Sequence, residues 1–129
     1  MAWAHLVILG ALIEYFVFAW MVAKARVKYG VHAPATSGHE VFDRYFRVQQ
    51  NTLELLILFV PSMWIACAYF EPEWVAGVGA VYVIGRIVYM RGYVSDPKSR
   101  HSGFMLSLVP IAALILGALF GVVRALIQL

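Results

Sequence analysis

Charge is what this sequence has least of. Only 13% of its 129 residues are Asp, Glu, Lys or Arg, while 63% are hydrophobic. A soluble domain is nearer a quarter charged and half apolar. So short a chain cannot bury that excess in a soluble core, so the composition points to an integral membrane protein. Cysteine is also scarce. Cys67 stands alone, which excludes an intrachain disulfide, and its apolar surroundings suit a small packing residue. His32 and His39 lie seven apart without cysteine or acidic partners at ligand spacing, so no metal is expected. The net charge of +3 is too small and too scattered for a nucleic-acid partner. The N-terminal apolar run lacks a basic start and continues to Lys24 and Arg26. It reads as a retained first span and not as a cleaved signal.

What remains divides into four apolar stretches. About 20 residues cross the hydrocarbon of a bilayer, and helices are expected at about 3–25, 41–69, 74–94 and 97–126. The fold class is all-α: an integral membrane four-helix bundle forming a single domain over residues 1–129. Tyr29 to Glu40 holds Gly30, Pro34, Ser37 and Gly38 and reads as a loop. Pro61 falls inside the second helix, where a membrane span tolerates it with a kink. Gly77, Gly79 and Gly85 suggest close packing of the third. Asp96 before Pro97 reads as an N-cap and first-turn proline of the fourth. Glu14, alone in the first span, is expected to face protein as a neutral or interhelically bonded carboxyl. The two polar loops and their flanks carry Lys24, Arg26, Lys28, Arg44, Arg47, Arg91, Lys98 and Arg100. The link between helices 2 and 3 carries only Glu71 and Glu73. The positive-inside rule therefore puts the basic loops in the cytoplasm, across an inner membrane if the source is bacterial.

The polar residues of the spans are few, and they are aligned. Arg47, Asn51 and Glu54 fall four and three apart and share one helix face. Arg86, Tyr89 and Tyr93 do the same on the third helix. Gln49, Arg26 and Arg100 lie toward the same end. A deep arginine such as Arg86 costs several kcal/mol at the bilayer centre unless it meets a partner. Lys24, Lys28, Arg44 and Lys98 are adequately read as snorkelling anchors. The aligned set of both charge signs is read either as a structural salt-bridge network or as a ligand site. Arginines favour carboxylates or phosphates, Glu54 an ammonium, and Asn51 and Gln49 amides. That set suits a small zwitterionic peptide with excess negative charge. Polar faces on such short helices are expected to need a second copy of the chain to cover them.

FDRYFRVQQNTLE followed by GAVYVIGRIVYMRGY resembles the membrane-associated eicosanoid and glutathione metabolism family. The closer likeness is to its branch holding microsomal glutathione transferase 2 and leukotriene C synthase, over about Arg26 to Arg100. The resemblance implies a homotrimer that binds glutathione between neighbouring copies, with the helix 3 wall supplied by a neighbour. Glutathione would be the co-substrate, with no metal. Arg47, Asn51 and Glu54 would hold its backbone, assisted by Gln49 and Arg26. Arg86, Tyr89 and Tyr93 would hold it from helix 3. Arg100 would stabilise the thiolate, the catalytic role. The partners implied are membrane lipid and a hydrophobic electrophile or lipid hydroperoxide, in a groove with Phe59, Trp64 and Phe104 among its lining. The pattern lapses at Leu55, where the family often has tyrosine. It lapses again at Val27, where leukotriene C synthase has the second of two arginines. The function implied is a membrane-bound glutathione transferase, with glutathione-dependent lipid peroxidase as a further activity. The alternative is a non-catalytic lipid-binding scaffold such as the five-lipoxygenase-activating protein of that family. A channel or transporter fits less well, since paired halves and broken helices are missing.

Overall fold

The structure, a computed structural model, describes residues 1–129. It holds α1 (Ala2–Tyr29), α2 (Glu40–Tyr69), α3 (Pro72–Ser95), a short 3-10 turn (Pro97–Ser99) and α4 (Arg100–Ile127). All four long helices are long and apolar enough to cross a membrane. The expected spans lie within a few residues of these ends. α4 begins three residues later than expected because Pro97 opens a 3-10 turn first.

The ends are set by local chemistry. Gly30, at φ +68°, closes α1 in the left-handed conformation that glycine adopts without strain. His39 caps α2: its Nδ1 accepts from the Val41 N–H at 3.1 Å, and its ring stacks on Tyr29. Asp96 caps the 3-10 turn by accepting from the Lys98 N–H at 3.1 Å. α2 continues through Pro61. Beside that proline, Ser62 Oγ donates to the Leu58 and Phe59 carbonyls at 2.7 and 3.0 Å.

The apolar core runs through the half of the bundle remote from the basic loops. Phe59 and Tyr82 stack there with centroids 4.0 Å apart. Phe59, Met63 and Tyr82 are completely buried. Phe59 therefore does not line a groove, contrary to expectation, because its ring is committed to Tyr82. Trp64 faces outward, as lipid contact requires. α3 and α4 make the closest pairing. At Gly85 an added Cβ would lie 2.7 Å from the Leu106 carbonyl carbon. At Gly103 an added Cβ would collide with the backbone of Tyr89. Gly79 packs on Met63 and Val7, whereas Gly77 faces open space. Close approach was thus expected rightly at two of the three α3 glycines. Gly103 and Gly121, on α4, also make close approaches.

Candidate functional site

Arg86 anchors the polar half. It is completely buried on α3, and its donors reach two other helices. Nε donates to Ser107 Oγ at 2.9 Å on α4. Nη1 donates to Asn51 Oδ1 at 2.7 Å and Thr52 Oγ1 at 3.1 Å on α2. The guanidinium also lies 4.3 Å from the centre of the Tyr89 ring, within cation–π range. Ser107 donates onward to the Gly103 carbonyl at 2.8 Å. Arginine has no acceptor, so the atom of Asn51 facing it must be oxygen. The Asn51 amino group is then the edge left for a ligand, and it offers donors.

The first three neighbours of Arg86 satisfy Nε and Nη1 only. Nη2 has no partner, nor do the Tyr82 hydroxyl and both carboxylate oxygens of Glu14. Glu14 is buried against protein as expected, but without the interhelical hydrogen bond.

Above Arg86, toward the basic loops, opens a cavity of about 790 Å³. α2 contributes Arg47, Gln50, Asn51 and Glu54 to its wall. α3 contributes Tyr89 and Tyr93, stacked 5.6 Å apart. The third side is the 3-10 turn and the start of α4, with Pro97, Lys98, Arg100, His101 and Phe104. The turn is pinned over α3 by Ser99 Oγ, which donates to the Gly92 carbonyl at 3.0 Å and the Asp96 carbonyl at 2.8 Å. Gly92 leaves room for that approach, since a Cβ there would lie 2.9 Å from the Ser99 carbonyl oxygen.

Six of the nine candidate residues share this cavity: Arg47, Asn51, Glu54, Tyr89, Tyr93 and Arg100. The other three do not. Arg86 lies behind Asn51 and touches the site through it. Gln49 turns to α1, where Nε2 donates to the Tyr15 hydroxyl at 3.5 Å. Arg26 staples the first loop, donating through Nη1 to the Ala35 carbonyl at 2.7 Å and the Val31 carbonyl at 3.4 Å. Within one chain, α2, α3 and α4 already enclose this cavity on three sides. Arg44, read as an anchor, instead ties α2 to α3: Nη1 donates to the Val94 carbonyl at 3.0 Å, and Nη2 pairs with Glu40 at 2.6 Å.

Gln50, Lys98 and His101 are wall residues that the sequence reading passed over. For Gln50 the signal was present, since Arg47, Gln50, Asn51 and Glu54 follow the i, i+3, i+4, i+7 pattern of one helix face. His101 lies four residues from Pro97 and three from Phe104, on the stripe that runs from the 3-10 turn into α4.

The charges of the stripe are not paired with one another within the chain. Arg44–Glu40 is the one ion pair in the structure. Arg47, Lys98 and Arg100 face the cavity with no carboxylate within bridging distance, and Glu54 faces it with no cation. A structural salt-bridge network is not what this chain builds. It presents three free cations, one free carboxylate and an oriented amide around a ligand-sized space.

Comparison with known proteins agrees with the likeness read from the residues. The MAPEG family model matches residues 4–120. An uncharacterised protein of Synechocystis is 42% identical, over 98% of this chain and 93% of its own length. Human microsomal glutathione S-transferase 2 is 45% identical over 79% of this chain and 70% of its own. Rat leukotriene C4 synthase is 34% identical over 75% and 64%.

Proposed function

The chain belongs to the MAPEG family, and from that premise we propose that it is a membrane-bound glutathione transferase acting on hydrophobic electrophiles. The observation that carries the reading is the unpaired charge around the cavity. Glutathione has two carboxylates, one ammonium, two peptide groups and a thiol. Arg47 and Lys98 suit the carboxylates, Glu54 the ammonium, and the Asn51 amino group a carbonyl. Arg100 is left for the sulfur, where a guanidinium favours the thiolate, the nucleophilic form. The thiolate attacks an electrophilic carbon, the S–C bond forms, and the leaving group departs with its electron pair. With a lipid hydroperoxide the same thiolate would attack oxygen, and a second glutathione would complete the reduction. Phe104 is the apolar wall residue nearest this chemistry by sequence.

A homotrimer follows from the same reading. Arg26 and Gln49 lie off the wall of their own chain and could serve the site of a neighbour. Arg26 commits only Nη1 to the loop, which leaves its other donors free. The basic end of the single membrane domain would face the cytoplasm.

Conjugation of a small aryl halide by the purified protein in detergent tests the proposal. Arg100→Ala is expected to lower kcat by about 10²–10³-fold, as loss of one transition-state donor does. Stabilisation by glutathione should survive, because the binding groups remain. Absence of glutathione-dependent turnover in the parent protein, or an unchanged rate in the variant, would overturn it. A lipid-binding scaffold would give the first of these results.

A further inference from the structure

The thiol must lose a proton before it attacks, and Arg100 cannot take one. A guanidinium stabilises the thiolate but is a donor only. The same holds for Arg47 on α2. Lys98 on the 3-10 turn carries a full complement of protons as an ammonium. Tyr89 and Tyr93 on α3 are phenols, which donate at neutral pH. Glu54 on α2 is the one wall carboxylate, and it is the group that answers the ammonium of the peptide. The amides of Gln50 and Asn51 accept hydrogen bonds but do not take protons, so one wall residue is left with a basic lone pair. His101 lies beside Arg100 in the first turn of α4, on the stripe with Pro97 and Phe104 that faces the cavity. No hydrogen bond or ion pair engages its ring. It is the only one of four histidines placed there. His39, by contrast, spends its Nδ1 on capping α2.

We propose that His101 accepts the thiol proton when glutathione is bound, as the base that works beside Arg100. The proposal rests on the transferase reading of the cavity. The S–H bond breaks, its electron pair stays on sulfur, and the proton forms a bond to the free imidazole nitrogen. The resulting imidazolium faces Arg47, Lys98 and Arg100, with Glu54 as the opposing charge. That largely cationic surrounding favours return of the proton. It goes to an alkoxide when the electrophile is an epoxide, or to water when the leaving group is a halide. Imidazole is suited to both steps because the same ring nitrogen can accept a proton and give it back.

The test is the pH profile of kcat and kcat/KM for aryl-halide conjugation by full-length protein in detergent, in wild type and His101→Gln. At pH 7 the variant is expected to lose about 100-fold in kcat, with the glutathione Kd unchanged. Its acid limb should move to higher pH, where the thiol ionises without help. The rise of thiolate ultraviolet absorbance after mixing with glutathione should slow in parallel. Profiles that superimpose, or a uniform loss at every pH, would overturn the role of His101 while leaving the transferase reading intact. If the wild type fails to turn over at all, the reading of the cavity falls first. His101 is solvent-exposed, so the substitution leaves folding undisturbed; a melting temperature equal to wild type checks this.

Discussion

The same three helices, α2, α3 and α4, are joined in two different ways along their length. In the half remote from the basic loops they meet through apolar surface: Phe59 on Tyr82, Met63 on Gly79, Tyr69 on Gly121. Nothing there depends on direction, and a groove between them on that side holds about 200 Å³ and is lined almost wholly by apolar residues. In the other half one guanidinium ties all three together, with hydrogen bonds to fixed atoms on α2 and α4, beside the Gly103–Tyr89 seam and the Arg44 link to the Val94 carbonyl. Directional bonds hold helices apart at a set distance. Apolar packing draws them together until the space is filled. The large cavity therefore sits on the hydrogen-bonded floor, and the small groove in the packed half. A binding site needs walls that do not collapse, and Arg86 supplies the means.

Arg86→Leu is the strongest way to break that contrast. It removes three hydrogen bonds and leaves the buried Thr52 and Ser107 hydroxyls, and the Asn51 oxygen, without their charged donor. Breaking a buried charged network from one side costs about 3–5 kcal/mol, and detergent unfolding should show a loss of that size. Glutathione binding should fall as well, because Asn51 loses the donor that sets its orientation. A variant as stable as wild type would mean that apolar packing alone holds both halves.

Glu54→Gln sharpens the contrast from the ligand side. Glu54 faces the cavity and has no partner in the chain, so the fold should not register the change. A hydrogen bond to a charged group is worth about 1.5–3 kcal/mol, or roughly 10- to 100-fold in the glutathione Kd. The expected result is weaker binding by titration calorimetry at an unchanged melting temperature. A large fall in stability instead would assign Glu54 to the structure.

The four spans were legible in composition, because windows of about 20 residues with so little charge are what a bilayer crossing demands and a soluble helix rarely offers. The stripe of Arg47, Asn51 and Glu54 was legible in spacing. What Arg86 does was not. A deep arginine announces that it needs partners, but Thr52 and Ser107 are small hydroxyls in apolar runs and carry no periodic signal. Gln49 and Gln50 show a different limit. Resemblance pointed to the first, while the helical period puts the second on the wall. How α3 and α4 close on each other was also beyond a one-dimensional pattern. Faces can be read from spacing, but the α3–α4 seam depends on contacts such as Gly103 against Tyr89.

The smallest effects compare two glycines of α3 that look alike in sequence. Gly85 sits in the seam with α4, where an added Cβ meets the backbone of Leu106 and Ser107 at 2.7 and 2.8 Å. Backbone cannot swing aside as a side-chain tip can, so Gly85→Ala should push α4 outward. The cost is that of overpacking, about 1–3 kcal/mol. Ser107 would move with α4 and lengthen its bond to Arg86, so glutathione binding should weaken together with stability. Gly77, one helix end away, has nothing within 4 Å of its would-be Cβ. Gly77→Ala should gain about 0.5–1 kcal/mol from the loss of glycine's backbone freedom and leave glutathione binding untouched. Thermal unfolding of both variants with and without glutathione separates the outcomes. Equal effects at the two positions would show that the α3–α4 seam does not set the distance on which the cavity depends.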